Sequence, residues 1–268
     1  ITDVLTQYGS FYPSMHFSWH YNLVKGEITK SLYQQASLMN DFNKGGWTGG
    51  WESTGGPMQM DGEKNPGHNN SYYVGPDELM QLYLSQLAAG FKGFGIWCWN
   101  SRSAGKEGGE YSLLDRNGQI TDRAVAIGSL GKAMQKYRFE LWNAHKEPLV
   151  GILYDWENEA TWGAMSIPGR EDFRFQPVKA RIGISNMLMT NNIPFEYLTP
   201  NDLFKGLGPR YKVLYLPAML TMRKELLPLL KKYVQEGGRL VMDLPSGWYD
   251  ENTVNLPTGK GSDFEQLF

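Results

Sequence analysis

Short apolar runs alternate with amphipathic stretches over most of the chain. Val4–Tyr8 reads as a buried strand that feeds the loop Gly9-Ser10-Phe11-Tyr12-Pro13. A helix is predicted from Glu27 to Met39, with Ile28, Leu32, Gln35, Ala36 and Met39 along one side. The Gly-rich run 45–52 has poor strand propensity and is assigned a short strand only from its surroundings. Residues 55–75 carry turn chemistry throughout, in Gly55-Gly56-Pro57, Asn65-Pro66-Gly67 and Asn69-Asn70, and read as a long loop. Asp77 is placed as the cap of a helix that stops at Gly90. Phe94–Trp99 is the next strand, followed by a Gly- and Ser-rich loop from Asn100 to about Ile120. Thr121 or Asp122 caps a long helix with Ala124, Ile127, Gly131, Met134, Arg138 and Leu141 on one side.

The pattern changes near Pro148. Beyond it come a strand at Leu149–Tyr154, a helix at Pro177–Thr190 and strands at Phe195–Leu198 and Lys212–Pro217. A helix at Arg223–Glu236 ends at Gly237-Gly238, and Arg239–Leu244 is a further strand. Strand–helix alternation of this kind predicts a doubly wound parallel sheet. The part before it reads strand–helix three times over, with long loops after the strands and short returns. That is the layout of the C-terminal strands and helices of a (β/α)8 TIM barrel, whose reactive groups sit on the loops after the strands. Three strands cannot close a barrel, which takes about eight. The remaining strands are expected upstream or in a partner chain. The expected domains are 1–146, the barrel portion, and 147–268, the second α/β domain.

Composition narrows the function classes. With 26 basic and 28 acidic residues the net charge is −2, which gives no strong field to attract nucleic acid or an anionic membrane. No run reaches the ~20 apolar residues needed to span a bilayer. Cys98 is the only cysteine, so neither an internal disulfide nor a cysteine zinc cage can form; this fits a reducing, cytoplasmic compartment, although the absence of an N-terminal Met leaves the location open. Aromatic residues make up 13% of the chain, with nine Trp, most of them before residue 165. Flat rings in that number suit either a large aromatic core or a carbohydrate site.

The candidate chemistry gathers in the first part. Glu52 lies at the end of the Gly-rich strand, in Trp51-Glu52-Ser53-Thr54-Gly55-Gly56-Pro57. A carboxylate there can serve as the nucleophile of a retaining glycosidase, and the alternative is an exposed loop glutamate. Trp97 and Trp99, two apart on a strand, share a face and can floor a sugar site or fill a barrel core. Arg102, Glu107 and Glu110 lie on the following loop; Glu107 can accept hydrogen bonds from two sugar hydroxyls or stand as a solvated charge. The hydroxyl of Tyr12 can orient the nucleophile. His16 and His20 form no metal motif, and no metal or cofactor is called for. A phosphate loop, a dinucleotide fingerprint and a Gly-x-Ser-x-Gly elbow are all missing. Trp156-Glu157-Asn158-Glu159 reads as a solvated loop opening the second domain.

Together these stretches resemble the family 42 glycoside hydrolases, bacterial β-galactosidases. Tyr12-Pro13 is similar to the family's Tyr-Pro after the sixth barrel strand. Glu52, after a Trp and before Gly-Gly-Pro, sits where the family has its nucleophile. The run from Trp97 to Glu107 resembles the eighth strand and its loop. Glu147-Pro148-Leu149-Val150-Gly151-Ile152-Leu153-Tyr154-Asp155 looks like the opening of the family's trimerisation domain, which has a flavodoxin/glutamine-amidotransferase-like fold. The resemblance implies Glu52 as catalytic nucleophile, with Tyr12, Trp99 and Glu107 in substrate binding. It implies a carbohydrate substrate, a homotrimer in the full-length protein and a second domain incomplete at its C-terminus. Met60 and Glu110 stand where the family has a tryptophan and a histidine that touch the sugar. The family's general acid, in an Asn-Glu pair after the fourth strand, is expected upstream of Ile1, so this stretch alone is expected to be inactive. The alternative is a non-catalytic carbohydrate-binding or assembly protein on a degenerate barrel. An amidotransferase is excluded, because its nucleophilic cysteine would have to lie in the second domain.

Overall fold

A computed structural model describes residues 9–16, 28–44, 46–59, 72–105, 111–165 and 168–267. The strand expected at 4–8 and the residues His20, Met60, Glu107 and Glu110 lie outside them. The chain is α/β, and it divides into two compact units between His145 and Lys146.

In the first unit β1 (Ser10–Phe11) and β2 (Ser14–Met15) lie along one side of β3 (Trp47–Thr54), and β6 (Gly93–Trp97) lies along the other. All three pairings are parallel. A short antiparallel pair, β4 (Met58–Gln59) with β5 (Tyr72–Tyr73), follows β3. The helices are α1 (Ile28–Asp41), α2 (Pro76–Ala89), α3 (Asp122–Lys136) and α4 (Arg138–Asn143). Leu32, Leu79, Leu82, Tyr83, Leu113 and Leu130 form a buried cluster joining helices to strands.

Local chemistry sets the helix limits. The cap of α2 is Gly75, not Asp77: Gly75 N–H donates to the Glu78 carboxylate at 2.9 Å, while Pro76 and Asp77 occupy the first turn. Gly90 ends α2 at φ 113°, which a side chain would strain. Thr121 caps α3 through its hydroxyl, which accepts from Ala124 N–H at 3.3 Å. The long helix expected after it breaks at Tyr137, and Gly131 is exposed, so its small-residue stripe is only partly covered.

The second unit is built on a four-stranded parallel sheet. Its strands are β7 (Val150–Leu153), β8 (Phe195–Leu198), β9 (Val213–Leu216) and β10 (Arg239–Met242), in the order β10-β9-β7-β8. The helices are α5 (Trp156–Ala164), α6 (Gln176–Thr190), α7 (Pro200–Phe204) and α8 (Leu226–Gln235). A core of Leu153, Leu198, Leu214, Leu216, Leu226 and Leu230 binds α8 to the sheet. Gly151 is held by close packing, since a Cβ there would come 2.4 Å from a Leu198 methyl.

The run read as a solvated loop at 156–159 is instead the first turn of α5, a correction to the sequence reading. Asp155 caps it, accepting from Glu157 N–H at 3.3 Å, and Glu157 pairs with Arg223. Asp155 is buried, and that burial, with the Glu157 carboxylate second, pushes its carboxyl well above the ordinary aspartate range. Glu157, hydrogen-bonded by Asp155 and then by Arg223, is held below the ordinary glutamate range. The two groups bend stability in opposite directions. Above the ordinary aspartate range the folded chain retains a proton on Asp155 that the unfolded chain has lost, so this group makes stability fall as pH rises until it ionises. Glu157 contributes stability above the ordinary glutamate range, lost as pH falls through its depressed value. Asp155→Asn is therefore expected to flatten the decline in stability from weakly acidic to weakly alkaline pH. Urea midpoints measured across that range check it; an unchanged slope would count against a protonated Asp155.

Candidate active site

The site forms where β3 runs out of register with β6. Gly49 and Gly50 face Gly93 and Phe94, while Ser53 and Thr54 face Ile96 and Trp97. One extra residue on β3 lies between these pairs, which is a bulge, and Trp51-Glu52 occupies it. Gly95 stands opposite: a Cβ there would lie 2.1 Å from the Trp51 carbonyl oxygen, so the bulge requires glycine at that position. Glu52 therefore sits inside an eight-residue strand and not at the end of a short one.

Beyond the bulge the strand is anchored on every side. Met15 and Ser53 are register partners and both are fully buried. The His16 ring Nδ1 and the Thr54 hydroxyl are 2.8 Å apart, and Tyr83 OH donates to the Thr54 carbonyl at 2.9 Å. Gln86 Nε2 donates to Ser53 Oγ at 3.3 Å. Trp51 N–H donates to the Pro13 carbonyl at 3.1 Å. At the bulge itself Ser14 Oγ donates to Glu52 Oε2 at 2.9 Å.

Tyr12 lies beside this pair as part of an aromatic group. Its ring meets Trp47 edge-on at 4.8 Å and Trp51 at 5.6 Å. Trp51 is 69% exposed. The hydrogen bond expected from Tyr12 to Glu52 is supplied here by Ser14, a residue with no sequence signal of its own.

Trp97 closes β6, and Trp99 falls beyond the strand end, exposed in a bend. The two tryptophans therefore do not share a strand face as expected. Arg102 stacks over the Trp97 ring at 4.6 Å. The loop after β6 returns through Leu113 N–H to the Cys98 carbonyl and Leu114 N–H to that of Trp99, at 2.9 and 3.1 Å. Cys98 Sγ donates to the Tyr111 carbonyl at 2.8 Å. Among the described residues no group of three or more His, Cys, Asp or Glu is arranged to hold a metal, and no helix is long and apolar enough to cross a membrane.

One buried cation ties these loops together. Arg123, at the start of α3, donates to the Gly55 carbonyl at 3.2 Å and to the Ser112 carbonyl at 2.9 Å, and its third nitrogen reaches Tyr73 OH at 3.3 Å.

Residues 149–268 match the family model described as the β-galactosidase trimerisation domain. The β-galactosidase BgaB of Geobacillus sp. (strain Y412MC61) is 24% identical over 258 residues, 91% of this chain and 36% of that protein. The β-galactosidase LacZ of Heyndrickxia coagulans is 25% identical over 179 residues, 65% of this chain and 25% of that protein. The chain is therefore similar to a C-terminal region of family 42 β-galactosidases. The chain spans about a third or less of the length of these curated relatives. Its fold superposes on a catalytic mutant of Gan42B, a GH42 β-galactosidase from G. stearothermophilus, with a TM-score of 0.79 and 19% identity over 97% of this chain and 37% of that one. The β-galactosidase of Bacillus circulans sp. alkalophilus gives 0.74 and 19% over 97% and 36%.

Arg123 is the residue on which the loop geometry can be tested. Arg123→Met keeps the buried length of the side chain and strips the donors from two carbonyls. Each unpaired group costs about 1–3 kcal/mol. Urea unfolding should show a loss of that order, and limited proteolysis should cut more readily near residues 98–112. A variant as stable and as resistant as the parent would remove Arg123 from this role.

Proposed function

We propose that this chain carries the nucleophile end of a retaining β-glycosidase, with β-galactosides as the favoured substrates and Glu52 as the nucleophile. The observation that carries the reading is Glu52 itself. It is a half-buried carboxylate on a parallel-strand bulge, oriented by a hydroxyl, next to the exposed rings of Tyr12 and Trp51. The curated relatives, named as β-galactosidases, support the same reaction class.

On this reading β1 with β2, β3 and β6 are consecutive strands of a (β/α)8 barrel, and the loops after them form its substrate face. Glu52 attacks the anomeric carbon, and the C–O bond to the aglycone breaks as a second carboxyl protonates the leaving oxygen. A glycosyl–enzyme ester results. The second carboxyl, now ionised, takes a proton from water as that water attacks the anomeric carbon, and Glu52 is released. The second carboxyl comes from outside these 268 residues, in keeping with the small share of the relatives that the chain spans. Tyr12, Trp51 and Trp99 offer rings for the apolar faces of a sugar, and Glu107 accepts from its hydroxyls. No cofactor takes part.

The second unit is read as a flavodoxin/glutamine-amidotransferase-like domain, supported by its strand order, and as the assembly domain of a homotrimer, supported by the family description of residues 149–268.

The test uses the full-length polypeptide and a 2-fluoro-galactosyl donor with a good leaving group. The added mass is expected on the peptide containing Glu52, and Glu52→Gln is expected to abolish it. Label on another carboxylate would overturn the assignment. No label from galactosyl, glucosyl or mannosyl donors would favour a non-catalytic carbohydrate-binding protein.

A further inference from the structure

Glu52 and Ser14 face each other as register partners across the parallel β2–β3 pair, and the Ser14 hydroxyl donates to Glu52 Oε2 at 2.9 Å. The backbone is fixed on both sides of this contact. Pro13 accepts from Trp51 N–H at 3.1 Å, and the next partners along, Met15 and Ser53, are wholly buried. His16 meets Thr54 one step further. A serine carries one hydroxyl proton, and here it is committed to one carboxylate oxygen. Tyr12, two residues before, has its ring wedged edge-on against Trp47 and Trp51.

We infer that Ser14 is a positioning residue of Glu52: its hydrogen bond fixes the carboxylate through Oε2 and presents Oε1 to the substrate. The inference rests on the reading of Glu52 as nucleophile. Its physical basis is that a carboxylate free to rotate loses the near-attack geometry on which covalent catalysis depends. A bond from a hydroxyl to a charged acceptor is among the stronger hydrogen bonds available for holding it. The short, β-branch-free serine side chain reaches only the group directly across the pair, so the contact is set by strand register.

The experiment compares Ser14→Ala and Ser14→Thr with the parent in the full-length polypeptide. It reads the rate at which a 2-fluoro-galactosyl donor labels Glu52, the inhibition constant of a competitive sugar inhibitor, and the melting temperature. Ser14→Ala is expected to slow labelling by about tenfold with inhibitor affinity within about twofold. Ser14→Thr, which restores a hydroxyl, should recover most of the rate. If Ser14→Ala lowers the melting temperature, Ser14→Cys, a weak donor of similar size, replaces it in the comparison. Unchanged labelling of Glu52 in the alanine variant overturns the role of Ser14 and leaves the nucleophile assignment standing. Failure of the parent itself to label Glu52 removes the assignment first.

Discussion

Parallel pairing on both sides of β3 is the constraint on which the first unit depends. A strand flanked in parallel by β1–β2 and by β6 cannot be joined to either by a tight turn, so each connection must cross over by way of a helix. That requirement sends α1 and α2 to cover the strands and gathers the strand C-termini at one end. It also makes the strands dependent on burial, which Leu32, Leu79, Leu82 and Tyr83 provide. Three features at that end follow from the arrangement. The Tyr83 hydroxyl reaches the Thr54 carbonyl, Arg123 from α3 reaches the Gly55 carbonyl, and Gly55 N–H reaches the Trp97 carbonyl.

Within that frame the bulge sets the surroundings of Glu52. A regular strand would point Trp51 and Glu52 to opposite faces. The extra residue between the Gly50 and Ser53 pairs turns the local backbone so that Glu52 meets Ser14 while Trp51 stays open to solvent beside Tyr12. The distortion is accommodated by Gly95 on the neighbouring strand, where any side chain would strike the Trp51 carbonyl. A carboxylate, an aromatic ring and the glycine that lets both be there are thus a single device spread over two strands.

Sequence periodicity reads the helices and the second sheet well, because their signals are local. The strand at Phe195–Leu198, the stop of α2 at Gly90 and the cap of α3 at Thr121 all follow from neighbouring residues. Glu52 also stands out, from its flanking Trp and Gly-Gly-Pro. Ser14 and Arg123 do not, since one acts across 38 positions of sequence and the other across 68. The length of β3 is missed for a related reason: Gly49 and Gly50 disfavour a strand, and pairing with two neighbours overrides them. The helix α5 is missed because its inner face is polar. Asn158, Thr161 and Trp162 seat it through hydrogen bonds, so no apolar stripe marks it in the sequence.

Those same bonds explain the character of the second unit. In a doubly wound sheet, the strand order reverses beside β7, and ligands commonly enter the crevice beyond the strand ends there. Here the protein's own side chains fill it. Ala218, just past β9, adopts φ 47°, a left-handed turn that no glycine relieves. Its carbonyl accepts from Asn158 Nδ2 at 3.0 Å and from Trp162 Nε1 at 2.8 Å, and its N–H is bonded by Asp243. Asn158 Oδ1 then accepts from Thr221 N–H at 3.1 Å. A strained backbone whose donor and acceptor are both taken by buried partners is held for shape, and a ligand entering this position would have to break three hydrogen bonds before making one. The open aromatic rings and the carboxylate beside them lie instead in the first unit, around Glu52.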